Sequence, residues 1–119
     1  MEKKGYKDLI VWQKSMELVV LVYGLTDSFP ESERYGLTSQ LRRCAISVPS
    51  NIAEGSKRGT KKDFHHFLLM SFGSGAEVET QLEIAKRLSY IKNAKKYEAT
   101  LLLLGEVMRM LSARVNRSN

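Results

Sequence analysis

Four cations fall within six positions of this chain, Lys57, Arg58, Lys61 and Lys62, on either side of Gly59 and Thr60. Side chains of this type at this density do electrostatic chemistry: they neutralise phosphates and release the counterions held there. Lys57 and Arg58 follow the end of one helical pattern, where positive charge is favourable. Lys61 and Lys62 open the next, where the helix dipole disfavours a cation by about 0.3–1 kcal/mol each. An anion docked on the free N–H groups of that helix start would relieve both penalties. Phosphate binding is the chemistry expected at these four residues.

Residue types that support catalysis are present but not arranged for it. His65 and His66 are adjacent, so on a helix they point about 100° apart and make a poor chelate. Glu79 and Glu83 share a helix face, yet no Glu-x-x-His pair accompanies them, as the di-iron pattern of helical bundles requires. There is no Walker loop and no nucleophile elbow. Gly73-Ser74-Gly75 lies inside a helical pattern and follows no strand, so it is not a phosphate loop. Cys44, the single cysteine, reads as a small interior residue rather than a reactive thiol. It cannot form an internal disulfide, which points to a reducing cytoplasm. No enzymatic activity, metal or cofactor is expected.

The elements that position the cations are helices. The 119 residues suit one domain with one core. The longest apolar run free of charge and glycine, Leu18 to Tyr23, is far short of the ~20 residues of a membrane span. The opening MEKKGYKD has no signal-peptide core. Four helical runs follow, at about 9–28, 36–54, 60–88 and 94–115. In the first, Trp12, Met16, Val19 and Tyr23 recur at helical steps and mark the inward face. In the second, Leu37, Leu41, Ala45, Val48 and Ile52 do so. Pro49 there implies a kink, with Ser47 and Ser50 re-satisfying freed groups, or an end at Val48. Gly55 is a plausible stop. Thr60 and Asp63 form a capping-box pattern for the third run. Its inward stripe is Phe64, Phe67, Ser71, Val78, Leu82 and Ala85, and Gly73 and Gly75 suit a closely approaching neighbour. Asn93 caps the fourth run, whose stripe is Leu101, Leu104, Met108 and Leu111.

Matched lengths and short connections predict an all-α fold, an antiparallel up-down-up-down four-helix bundle. Two apolar quartets exceed what one stripe per helix can bury: Val19, Val20, Leu21 and Val22, and Leu101, Leu102, Leu103 and Leu104. Four successive residues cover about 300° of the wheel, so self-association through the outer faces of the first and fourth helices is expected. The topology also collects the cations. The N-terminus, the second connection and the C-terminus share one end. There Lys3, Lys4, Lys7, Lys57, Arg58, Lys61, Lys62, Arg114 and Arg117 face Glu2, Asp8, Glu54 and Asp63, nine against four. The opposite end carries six against four and the middle four against five, within a total of +6. Arg42 and Arg43, flanking the inward Leu41 and Ala45, form a second candidate patch. The expected ligand is a nucleic-acid backbone, RNA or DNA, held without base-specific readout, since no zinc-finger, RNP or long basic-helix motif is present.

Three segments then carry a resemblance: L-T-x-Q-L-R-R at Leu37–Arg43, S-V-P-x-N-I-A-E-G at Ser47–Gly55, and E-x-E-T-Q-L at Glu77–Leu82. With the surrounding sequence from about Tyr6 to Met110, they resemble the four-helix-bundle proteins called 23S ribosomal RNA intervening-sequence proteins. The resemblance implies a homopentameric ring or barrel. Five copies at +6 each would carry +30. It also implies kinship with the accessory variability determinant of diversity-generating retroelements, a basic pentamer that binds nucleic acid and a reverse transcriptase. An interaction scaffold for an acidic protein such as a polymerase or reverse transcriptase is the rival expectation, and a mobile-element passenger a third.

Overall fold

The computed structural model describes residues 5–117. Four helices make the fold, α1 (Ile10–Thr26), α2 (Leu37–Lys57), α3 (Lys61–Arg87) and α4 (Ala94–Arg117), and the described residues contain no strand. Single 3-10 turns at Tyr6–Asp8 and Glu31–Glu33 precede α1 and α2. α1 packs on α2 and α4, and α3 packs on α2 and α4, which closes a circuit of four neighbours. The body is a rod of 48 × 23 × 23 Å.

Local chemistry sets the helix ends. The Thr60 side chain accepts from the Asp63 backbone N–H at 3.1 Å. This is half of the expected capping box; Asp63 makes no return bond among the described residues. Asn93 Oδ1 accepts from Lys96 N at 3.0 Å and opens α4. α2 does not stop at Gly55. It runs unbroken through Pro49 to Lys57, and the chain turns at Gly59, whose φ of +91° suits glycine. At Pro49 the expected helpers act differently. Ser47 Oγ donates to Arg43 O at 3.0 Å and Asn51 Nδ2 to Ser47 O at 2.8 Å. From α3, Ser71 Oγ reaches Val48 O at 2.8 Å.

The core forms two adjoining clusters. One centres on Leu18, Val22, Leu41, Val78, Leu82 and Leu104. The other joins Val11, Val48, Ile52, Leu68, Val107 and Leu111. Each fully buried leucine in them contributes about 1.5–3 kcal/mol relative to exposure. The second cluster draws on the first turn of α1, the end of α2, the start of α3 and the end of α4, so those four segments meet at one level of the rod.

The inward face of α1 differs from the expected one. Val11, Ser15, Leu18, Val22, Leu25 and Thr26 are buried, while Met16 is 43% and Tyr23 38% exposed. The face is rotated by one residue, about 100°, and brings two small hydroxyl residues to the buried side. They fit there by bonding to their own helix: Ser15 Oγ to Trp12 O at 2.8 Å and Thr26 Oγ1 to Val22 O at 2.8 Å. In α3 Phe64 and Phe67 are half-buried and Leu68 takes the core position. In α4 the buried residues are Tyr97, Thr100, Leu103, Leu104, Val107 and Leu111, with Leu101 and Met108 beside them.

Candidate nucleic-acid interface

The turn between α2 and α3 carries the densest group of cations. Lys57 ends α2, Arg58 caps it, and Lys61 and Lys62 form the first turn of α3; all four are exposed. They are not equivalent. Arg58 Nε and Nη2 both bond to Glu54 Oε2, at 3.1 and 3.0 Å, and its guanidinium lies 4.9 Å from the Phe67 ring centroid. Arg58 is thus held and partly neutralised. Lys57, Lys61 and Lys62 have no ion-pair or hydrogen-bond partner for their ammonium groups among the described residues, which leaves them free for an anion.

The close packing beneath this turn explains its shape. Gly55 is buried where α3 crosses, and a Cβ there would sit 2.7 Å from Phe67 Cβ and 3.0 Å from Phe64 Cδ1. The glycine lets α2 and α3 approach, and Lys57 and Lys61 emerge from the same crossing.

Beside this turn lie the first and last described segments. The Tyr6–Asp8 turn contacts α1 and α2, with the Tyr6 ring edge-on to Trp12 at 5.3 Å. Asp8, Leu9, Met110, Arg114 and Arg117 line a common groove of about 310 Å³. Lys7 and Arg117 are exposed; Arg114 is half-buried and already partnered. Lys3 and Lys4 lie outside the described residues. The structure therefore gathers Lys7, Lys57, Arg58, Lys61, Lys62, Arg114 and Arg117 around one end.

Arg42 and Arg43 are not part of that group. Arg42 Nε donates to Thr26 Oγ1 at 2.8 Å and Nη2 to Asp27 Oδ1 at 3.2 Å, with the guanidinium 4.4 Å over the Tyr23 ring. Arg42 ties the end of α1 to the start of α2, and its guanidinium is committed to those contacts. Arg43 is exposed and has no side-chain partner among the described residues. Their position also corrects the charge map. Arg42 and Arg43 belong with the opposite end, raising it to eight basic against four acidic residues, while the described residues of the first end hold seven against three. On the described residues both ends are +4 and the middle is acidic. Sequence reasoning passed over Arg34 and Tyr35, which line the same groove as Arg43. The available signal was an adjacent cation and aromatic outside every helical run.

The apolar quartets separate by burial. Val22, Leu103 and Leu104 are buried in the chain's own core and are not available to a second copy. Val19, Leu21 and Leu101 are half-buried. Val20 and Leu102 stand 70% and 72% exposed.

The other residues with chemical potential stay apart. His66 is exposed with its ring edge-on to Phe67 at 5.3 Å. Glu83 pairs with Arg87 at 2.9 Å. Cys44 is half-buried and receives Gln81 Nε2 at 3.5 Å; burial pushes its thiol pKa up, the direction that disfavours the thiolate. Among the described residues no three His, Cys, Asp or Glu side chains converge as a metal site. No described helix is long and apolar enough to cross a membrane.

No curated protein matches the chain. Among solved structures, a crystal structure of a protein with unknown function from the S23 ribosomal protein family of Bacteroides thetaiotaomicron VPI-5482 is similar. It is 25% identical, the match covers 89% of this chain and 98% of that one, and the TM-score is 0.78. The family model for the 23S rRNA-intervening sequence protein matches residues 7–113. The four-helix fold described above is shared with that solved structure, and the chain belongs to the 23S rRNA-intervening sequence protein family.

Proposed function

We propose that the protein is a non-enzymatic helical bundle of up-down-up-down topology that binds nucleic acid through backbone phosphates. The observation that carries this reading is the trio Lys57, Lys61 and Lys62: exposed, unpaired among the described residues, and set around the N-terminus of a 27-residue helix. Three free ammonium groups beside unsatisfied helix N–H groups favour a polyanion over a solvated surface. Lys7 and Arg117 extend the surface, and Arg58 contributes less because Glu54 already holds it.

The protein works as an assembly of several copies, five in the arrangement the family resemblance implies, and repeats the basic end around its axis. Exposed Val20 and Leu102 and the partly exposed stripe of Met16, Val19, Ile46 and Ala53, set over the buried Pro49, support contact between copies. That stripe lines a groove of about 310 Å³ between α1 and α2.

The test is salt-dependent binding. Lys57→Ala, Lys61→Ala and Lys62→Ala together should flatten the slope of log affinity against log salt by roughly two to three units, given about −0.7 to −0.9 for each phosphate contact. An unchanged slope and affinity would reject this surface. Failure of the wild-type protein to bind any nucleic acid, with retention of one acidic protein such as a reverse transcriptase, would favour the scaffold reading instead.

A further inference from the structure

The end of α1, Arg34 and Tyr35 ahead of α2, and the first turns of α2 enclose a groove of about 500 Å³. Its floor is fixed by Arg42, which bonds to Thr26 and Asp27 and covers the Tyr23 ring. Its rim is left open. Tyr35 is 86% exposed, and the one group described on its ring is the Arg34 guanidinium, 5.3 Å from the centroid. Arg34 reaches Glu31 only at 3.5 Å, both side chains being mostly in water. The Arg43 guanidinium has no hydrogen-bond or ion-pair partner among the described residues, and Ser39 adds a hydroxyl to the same lining. An open aromatic face flanked by two uncommitted or weakly committed guanidiniums matches one chemistry well: a planar base attached to a phosphate. Base stacking on an aromatic side chain contributes about 1–3 kcal/mol and is available only to a base outside a duplex.

We propose that this groove holds an unpaired nucleotide of a single strand, with its base on Tyr35 and its phosphate at Arg43. The inference rests on the nucleic-acid reading above and deepens it, adding a contact that discriminates single strands from duplexes. Arg42 positions the groove and does not contact the ligand. Arg43 lies 14 residues before Lys57 on α2, about 21 Å along the helix. Groove and lysine trio are therefore separate contacts that separate substitutions can remove.

The experiment compares an oligothymidylate of about 12 nucleotides with a duplex of equal length, by fluorescence anisotropy over a salt series. The proteins are wild type, Tyr35→Ala, Arg43→Ala and the triple lysine variant. Tyr35 and Arg43 are exposed, so their variants should keep the fold, as circular dichroism will verify. Tyr35→Ala should weaken single-strand binding roughly 5- to 150-fold and leave duplex binding unchanged. Arg43→Ala should flatten the single-strand salt slope by about 0.7. If both variants bind the single strand like wild type while the triple variant is weakened, the groove is overturned and the lysine surface stands. If the groove variants lose single-strand binding and the triple variant does not, the groove stands and the lysine surface falls. Wild-type protein that binds neither probe overturns both. A Tyr35→Ala variant with altered sedimentation and unaltered single-strand binding assigns the groove to contact between copies and overturns the proposal.

Discussion

Gly55 and Gly73 both sit inside helices, where glycine costs about 1 kcal/mol relative to alanine, yet their surroundings are opposite. At Gly55 an added methyl would meet Phe67 Cβ, an atom fixed to the α3 backbone that no rotamer change can move. Overpacking of this kind costs about 1–3 kcal/mol, which outweighs or offsets the propensity gain. At Gly73 an added methyl would meet nothing within 4 Å. Gly73→Ala should therefore stabilise the fold by about 1 kcal/mol, while Gly55→Ala should destabilise it by up to about 2 kcal/mol. Urea denaturation at one fixed protein concentration measures both. A destabilised Gly73→Ala protein would mean that a surface outside the chain rests on that position. Gly75 is intermediate: its methyl would press on the Met108 thioether, which can swing aside. From the sequence, both Gly73 and Gly75 suggested a closely approaching neighbour. One has a side chain against it and the other none, a distinction that depends on which way the helix faces and that composition does not carry.

At the scale of elements, the connection before α2 is locked to the one before α4 by a single carboxylate. Glu33 Oε1 accepts from Leu37 N at 3.0 Å, and Glu33 Oε2 accepts from Tyr90 Oη at 2.9 Å. The Leu37 bond first, and the Tyr90 bond second, lower the Glu33 pKa. A carboxyl with a folded pKa below its unfolded value of about 4.3 contributes stability that is fully present above that value. The contribution is lost as pH falls through the lowered folded pKa. Thermal denaturation should show wild type exceeding Glu33→Gln at pH 6, with the gap closing on acidification below about pH 4. A gap independent of pH would remove the carboxylate from this role. The lock joins residues 57 positions apart, and no local pattern announces it. What was legible were features set by local chemistry: the Thr60 and Asn93 caps, and the 3.6-residue stripe of α2 through Leu41, Ala45, Val48 and Ile52. The face of α1 was not, because that helix offers two apolar stripes and only the neighbouring helices choose between them. They chose the one carrying Ser15 and Thr26. The end of α2 was misread for a related reason: Gly55 serves the crossing with α3, and the turn glycine is Gly59. The candidate site was legible at Lys57, Lys61 and Lys62, since a turn needs only its flanking residues. The roles of Arg42 and Arg58 depended on partners, Asp27 and Phe67, that packing alone brings near.

Across the whole molecule, the two most exposed aliphatic side chains lie apart from the basic ends. The ends of the rod are basic and its waist is acidic, while Val20 and Leu102 lie on the waist. The Lys14–Glu106 ion pair at 2.9 Å and the Lys96 side chain lying beside Gly24 bracket both residues on the α1–α4 pair. Val20 falls between Lys14 and Gly24, and Leu102 between Lys96 and Glu106, so the two share one level. Two large aliphatics left 70% and 72% exposed at one level would supply the apolar centre of the proposed contact between copies. Val20→Glu with Leu102→Glu should convert an assembly to single chains in analytical ultracentrifugation, without loss of helix content. The same variant separates local affinity from avidity. Several copies gripping one strand gain roughly 10²–10⁴ over a single contact when the strand is long enough to reach them all. The dissociated variant should therefore lose that factor on a long single strand while binding a short oligonucleotide as wild type does. Equal losses on both lengths would mean that the waist itself touches nucleic acid, against its acidic charge.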